Sequence, residues 1–298
     1  MTDTPVDYDF EDYNATFVFQ PSEKDKVTAN FYYGSDYLDI ETGIYQTEGR
    51  IKWSNIAASI LWNRPLGRIG EMTHTFYITR YKNRLSISQN QFTAWLPSEI
   101  TDYGYKNIFS FREEKFLGTY GLEYVYHHMY PQIVETQGAY TIHTDPDSRL
   151  YRIHEGALFI NGKYFFSPRL SAEAGLRYSG TAQFGKFNYH TYREIIDTQT
   201  YGKGELIKFY GGFEPRIALY FLPGSNQRIS LSYNLTRQYI GQVSSSSIGF
   251  PTDFWMPASR NIPPQRAHSF SAGYSIALDQ DNYEFSSELY YKRLHNQM

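Results

Sequence analysis

Over residues 228–236 the chain alternates: Ile229, Leu231, Tyr233 and Leu235 are apolar or aromatic, and Ser230, Ser232, Asn234 and Thr236 between them are polar. In a strand, successive side chains point to opposite faces, so a period of two gives one greasy face and one polar face. The pattern returns over 269–278, where Phe270, Ala272, Tyr274, Ile276 and Leu278 oppose Ser269, Ser271, Gly273 and Ser275. It returns again over 283–293, with Tyr283, Phe285, Leu289 and Tyr291 set against Glu284, Ser286, Glu288 and Lys292. Capped, helix-period segments are scarce. The pattern predicts strands from end to end.

The connections divide into two kinds. Short polar turns are expected near 21–25, 64–70, 113–116, 167–169, 223–227 and 279–282, recurring roughly every 45–55 residues. Longer irregular stretches fall near 35–47, 85–103, 131–147, 180–204 and 240–267. Strict alternation of short and long predicts an all-β, antiparallel, up-and-down sheet of about 12 strands, many of about 10–14 residues, where soluble sheets average five or six. A tilted strand needs about 9–11 residues to cross hydrocarbon, and outer-membrane barrels join their strands by short periplasmic turns and long extracellular loops. A transmembrane β-barrel segment, open or incompletely closed, with edges near 13–20 and 283–293, is the expected fold. Ile217, Leu219, Phe221, Ile229, Leu231, Tyr233, Phe270, Tyr274, Phe285 and Leu289 are expected on its outer surface. No sequence repeat of the propeller or solenoid kind underlies the hairpin period.

Composition sharpens this reading. Of 298 residues, 29 are tyrosine and 4 tryptophan, the residue types that form interfacial girdles in barrels. Mean hydropathy is −0.54, and no apolar run exceeds that of 217–222, so a spanning helix of about 20 apolar residues is excluded. A net charge of −3 offers no basic surface for nucleic acid. Absence of cysteine removes disulfides and thiolate metal sites. The start of the chain carries Asp7, Asp9, Glu11 and Asp12 without a basic or apolar leader, so no signal peptide is expected in it.

Residues 208–298 carry a resemblance. Glu214-Pro215-Arg216 lies inside a strand, followed by Ser232-Tyr233-Asn234, Gln238-Tyr239, the stretch 251–257 (Pro-Thr-Asp-Phe-Trp-Met-Pro), the stretch 261–265 (Asn-Ile-Pro-Pro-Gln) and 288–292 (Glu-Leu-Tyr-Tyr-Lys). This succession closely resembles the barrel of TonB-dependent outer-membrane receptors, and Tyr13-Asn14-Ala15 and 53–63 resemble its earlier strands more weakly. The resemblance implies a 22-stranded barrel filled by an N-terminal plug, importing a scarce nutrient with energy passed through TonB. Residues 1–298 are expected to be a part of the barrel domain, with no plug and no closing strand ending in an aromatic residue. The implied partners are outer-membrane lipid, the TonB complex through a plug, and a small-molecule or oligosaccharide solute such as an iron chelate or cobalamin. No cofactor and no enzymatic activity are implied. The alternatives are a self-contained porin and an outer-membrane lipid hydrolase.

By parity, Glu214 and Arg216 oppose Ile217, Leu219 and Phe221 and are expected to face the lumen, lining a solute path or bracing the wall as ion pairs. Glu123 with His127, Glu173 with Arg177, and Glu284 with Glu288 read the same way. In the stretch 251–266 the prolines limit freedom, and Phe250, Phe254, Trp255, Arg260 and Arg266 offer aromatic faces and guanidinium groups suited to stacking on a sugar or an aromatic iron-chelating ligand. The competing reading has Phe254 and Trp255 packing inward to hold the loop over the barrel mouth. His127 and His128 are adjacent on a strand and point to opposite faces, so they cannot share a metal. His143, Asp145 and Asp147 could hold calcium only without the EF-hand spacing. Asp279 to Asn282 reads as a tight turn.

Overall fold

The computed structural model describes residues 6–42, 47–137, 149–192, 196–243, 254–278 and 282–297. No helix occurs among them. Twelve long strands form one antiparallel wall in chain order: β1 (Val6–Phe19), β2 (Lys26–Thr42), β3 (Thr47–Pro65), β4 (Glu71–Gln89), β5 (Phe92–Arg112), β6 (Phe116–Tyr130), β8 (Tyr151–Ser167), β9 (Leu170–Phe184), β12 (Leu206–Phe221), β13 (Gln227–Gln238), β16 (Gln265–Leu278) and β17 (Tyr283–His295). The short β7 (Glu135–Gln137) adds to the top of β5. Two hairpins stand apart at the long-connection end, β10 (Phe187–Tyr192) with β11 (Ile196–Tyr201) and β14 (Ile240–Val243) with β15 (Phe254–Pro257). β1 and β17 are the two edges of the wall and are not paired with each other.

Wall strands run from 12 residues in β13 to 21 in β5, longer than the sequence pattern predicts. Two of the expected irregular stretches are largely ladder. Residues 35–42 and Thr47 belong to a hairpin paired from Lys26↔Asn63 to Thr42↔Thr47. The stretch 85–103 belongs to another, closed by the pair Gln89↔Phe92 across Asn90 and Gln91. Asn90 there has φ 54°, the left-handed conformation that a two-residue hairpin turn requires and asparagine tolerates. Pairing continues here where two-residue alternation fades, and Ser35, Ser98 and Thr101 on these ladders are buried. The short turns fall where expected, and the one near 279–282 lies mostly outside the described residues. In the first turn, Asp25 accepts hydrogen bonds from Ser22 Oγ (2.6 Å) and Trp62 Nε1 (2.8 Å), which hold its carboxyl below the usual carboxylate range.

Register places a single apolar surface across the whole wall. Ile217, Leu219 and Phe221 stand opposite Tyr233, Leu231 and Ile229, which stand opposite Phe270, Ala272 and Tyr274. The stripe continues through Leu158 and Ile160 to Phe76, Ile60 and Phe17. Ile217, Leu219, Phe221, Ile229, Leu231, Phe270, Tyr274, Phe285 and Leu289 are all exposed, Leu289 at 78%. Tyr233 is half-covered, because its ring packs 4.8 Å from that of Phe270. So large an apolar surface is unfavourable in water and stable against hydrocarbon. Aromatic pairs bound it at both ends: Phe111–Phe116 (5.7 Å) and Tyr164–Phe166 (4.9 Å) near the short turns, Tyr103–Tyr126 (6.3 Å) and Tyr178–Phe213 (5.1 Å) toward the long connections. Burial is inverted accordingly. Ser179, Gln183, Glu214 and His127 are buried, and they lie on the opposite, concave face under the upper hairpins.

Candidate functional site

The concave face near the long-connection end encloses a cavity of about 580 Å³. One side of it is the wall: Asn55 from β3, Tyr81 from β4, Asp102 from β5, His127 from β6 and Glu155 from β8. The other side is the segment that leaves β13, with Arg237 and Tyr239, and the β14–β15 hairpin, with Gln242 and Trp255. Main-chain pairing of Gln242 with Trp255 fixes the hairpin, and the amide of Ala258 donates to the Tyr239 carbonyl at 2.6 Å to tie its base to the wall. Trp255 thus faces the wall residues across the cavity.

The wall side is organised around His127. The register sets it opposite Asp102, and its Nδ1 lies 2.8 Å from Asp102 Oδ1. Its Nε2 faces Glu155 at 3.6 Å, too long for a hydrogen bond. Beside the cavity, Tyr239 Oη and Ser179 Oγ are 2.8 Å apart, and Ser179 donates to Glu214. Glu214 is only 4% exposed, so this chain of hydroxyls supplies the partner that a buried carboxylate needs. The arrangement presents aromatic faces, amides and charges of both signs to one volume. That donor set suits an organic solute carrying several polar groups. Among the described residues, no group of three or more His, Asp or Glu converges on a metal position.

The residues singled out from sequence fall into three groups. Glu123 and Arg177 form an ion pair at 2.9 Å across the intervening β8, where the small Ala157 stands opposite Glu123. Glu173 accepts from Asn161 Nδ2 at 2.9 Å. Glu214 and Arg216 lie on the concave face, Glu214 buried and Arg216 exposed, and Arg216 lines a pocket there with Lys106 and Arg177. Glu284 and Glu288 are exposed on the edge strand β17, on the side opposite Phe285 and Leu289. These are wall positions.

Within 250–266 the structure separates what the sequence grouped. Trp255 enters the cavity. Arg260 instead binds the neighbouring hairpin: its Nη1 donates to Gln199 and to Tyr201 Oη (3.2 Å), and its amide donates to Tyr189 Oη (3.2 Å). Those tyrosines belong to a small core of Phe187, Tyr189 and Tyr201 that packs on Tyr151 and Ile207. Arg266 is not in a loop at all; it lies on β16, between Arg237 and His295 of the adjoining strands. Phe254 pairs with Val243 in the hairpin, and Phe250 lies outside the described residues, as do His143, Asp145 and Asp147. His127 turns inward, and His128 lies on the side of Tyr126. Sequence reasoning missed Asp102, Glu155, Arg237 and Tyr239. Asp102 and Glu155 have the inward parity of their strands, but Arg237 and Tyr239 have the odd parity of the outward Leu231 and Tyr233, so alternation points them to the wrong face and only the folded segment leaving β13 brings them to the cavity.

Residues 2–298 match the family described as TonB dependent receptor-like, beta-barrel. The chain belongs to this family. Its members are bacterial outer-membrane transport proteins. No curated protein matches the sequence. Several solved structures share the fold. The ferric yersiniabactin uptake receptor FyuA from Yersinia pestis superposes with a TM-score of 0.69 at 7% identity, covering 97% of this chain and 48% of that one. The Serratia marcescens hemophore receptor HasR, solved as a double mutant with its hemophore HasA and heme, gives 0.65 at 11% identity, covering 96% and 45%. The alcaligin outer-membrane receptor FauA from Bordetella pertussis gives 0.63 at 12%, covering 96% and 44%. The chain therefore spans about half the length of the structures it resembles.

Proposed function

We propose that residues 1–298 form part of the barrel wall and upper hairpins of a TonB-dependent importer, and that the cavity between Trp255 and the Asp102–His127–Glu155 cluster contacts the incoming solute. The observation that carries this reading is the inward fold of the β14–β15 hairpin, which brings an aromatic face over a polar lumen wall at the long-connection end. Long connections face the cell exterior in outer-membrane barrels, so this cavity lies on the route by which a solute enters. A plug domain and the TonB complex would supply gating and energy. The solute is an iron chelate, cobalamin or an oligosaccharide; the mixed aromatic and amide lining favours an iron chelate with flat rings or a sugar-like face, since both stack on indole. A self-contained porin needs a closed wall, and β1 and β17 are unpaired edges.

The test is Trp255→Ala in the full-length receptor. Loss of stacking on one ring should weaken solute binding by about tenfold, as 1.4 kcal/mol is a factor of ten. Uptake of labelled ferric chelates under iron limitation should fall, while the amount of folded receptor in the outer membrane stays unchanged. Normal binding and uptake by folded Trp255→Ala receptor would assign the hairpin a packing role instead.

A further inference from the structure

The β14–β15 hairpin that carries Trp255 has four residues in each strand and forms a sheet of its own, with no ladder to the wall. A two-stranded hairpin standing alone is marginal in water, so its inclination over the cavity has to be set from outside it. The supports lie at its two roots. At the root that leaves β13, Tyr239 is buried, and its hydroxyl lies 2.8 Å from Ser179 Oγ. At the other root, Pro257, Ala258 and Ser259 are buried although they belong to no wall strand.

Tyrosine hydroxyls converge on this second root from two directions. Tyr210 of β12 donates to the Ser259 carbonyl at 3.0 Å. Tyr189 Oη accepts the Arg260 amide at 3.2 Å and donates in turn to Gln183 Oε1 of β9 at 3.3 Å. Tyr201 Oη accepts from Arg260 Nη1 at 3.2 Å, and the same nitrogen donates to Gln199. Tyr189 and Tyr201 belong to the β10–β11 hairpin, whose rings pack in series onto the wall: Tyr151 to Phe187 at 4.7 Å, Phe187 to Tyr189 at 5.0 Å, and Tyr189 to Tyr201 at 6.3 Å. Among the described residues no carboxylate pairs with Arg260, so its guanidinium serves as a donor between hairpins.

We infer that the β10–β11 hairpin, with Tyr210, is the support that holds Trp255 over the cavity, and that Tyr189, Tyr201 and Tyr210 are positioning residues for solute capture that act only through that indole. The connection is covalent and short. Met256 and Pro257 alone separate Trp255 from the clamped segment 258–260, and Gln242 pairs with Trp255 across the hairpin. Without the three hydroxyls, the second root keeps the Ala258–Tyr239 main-chain bond (2.6 Å) as its hydrogen-bonded tie to the wall, and the hairpin opens more readily about it. The indole then spends less time facing Asp102, His127 and Glu155, and apparent affinity falls with the fraction of receptor in the competent arrangement. The effect on solute rests on the cavity being the contact site proposed above; the effect on the hairpin does not.

The test compares full-length receptor with a variant carrying Tyr189→Phe, Tyr201→Phe and Tyr210→Phe together, which keeps every ring and removes only the hydroxyls. Heat-modifiable gel migration verifies that each protein is folded. Without solute, hydrogen exchange read by mass spectrometry should speed up about tenfold at the amides of 240–243 and 254–256 and stay unchanged in the wall strands. With ferric tris(2,3-dihydroxybenzoate) as the probe, binding by the hydroxyl variant should weaken about fivefold. The same three substitutions placed on Trp255→Ala should weaken it no further, since a support for the indole has nothing left to hold, whereas a general loss of packing would add to the loss. Unchanged exchange in the hairpin would overturn the inference whatever the probe does. Additive losses of binding would overturn it as well, by giving the tyrosines an effect on solute that bypasses Trp255. Faster hairpin exchange together with full probe binding by both the hydroxyl variant and Trp255→Ala receptor would overturn the cavity reading instead and leave the support standing.

Discussion

At the residue scale the lumen wall is a set of buried or half-buried polar groups, most of them bonded to a neighbour on another strand, while His127 Nε2 and Gln183 Nε2 have no hydrogen-bond partner. Glu214 shows what this requires: a carboxylate 4% exposed, reached by Ser179, which is itself reached by Tyr239. Glu214→Ala removes the acceptor and strands the Ser179 hydroxyl, and should destabilise the folded barrel by about 1–3 kcal/mol. Glu214→Gln, which keeps an acceptor oxygen, should cost less. Urea unfolding in lipid vesicles measures both, and a double cycle with Ser179→Ala should be clearly non-additive because the groups share one network. An unchanged midpoint for Glu214→Ala would mean that water replaces the network. Parity alone placed Glu123, Arg177 and Glu214 on the inward side, since one face of each strand is greasy. It could not place Asp102 beside His127, because that contact depends on the register between β5 and β6.

At the scale of elements, alternation is written into the chain only where one face meets lipid. That is why the lower part of each hairpin was legible and the upper part was not. Above the belt, β4 and β5 continue to pair up to Gln89↔Phe92, where no lipid-facing surface imposes a period. What fixes the tip is backbone conformation: Asn90 at φ 54°. Asn90→Gly should leave stability within about 0.5 kcal/mol, whereas Asn90→Val, β-branched and disfavoured at positive φ, should cost about 1–2 kcal/mol. The effect should be local, so hydrogen exchange of amides near 85–95 is the proper measurement. Faster exchange confined to the tip in Asn90→Val is expected; identical exchange in both variants would show that the turn does not set the register. The same reasoning separates Trp255 from Arg260. They are five residues apart in one proline-rich stretch, but one enters the lumen cavity and the other ties two hairpins together.

At the scale of the whole molecule, the decisive property is that the two faces of one continuous sheet meet different solvents. Adjacent residues therefore obey opposite rules, and the pair Arg216 and Ile217 in β12 tests this directly. Ile217 lies midway between Phe213, near the upper aromatic pairs, and Phe221, at the lower end of the strand, and it is 58% exposed on the apolar face. Arginine introduced there sits near the bilayer midplane and should destabilise the barrel by about 2–4 kcal/mol. Arg216 points the other way, beside Lys106 and Arg177 in a pocket already rich in cations, so Arg216→Ala removes like-charge repulsion together with its own packing. Its net effect should be under about 1 kcal/mol. Unfolding of full-length receptor variants in vesicles, followed by tryptophan fluorescence, compares the two. A soluble protein with the same residues would give the reverse order, because an exposed isoleucine in water tolerates arginine easily. If Ile217→Arg were neutral and Arg216→Ala severe, the apolar stripe from Phe17 to Leu289 would be an interior, and the lumen and the cavity beneath Trp255 would both have to be reassigned to the opposite face.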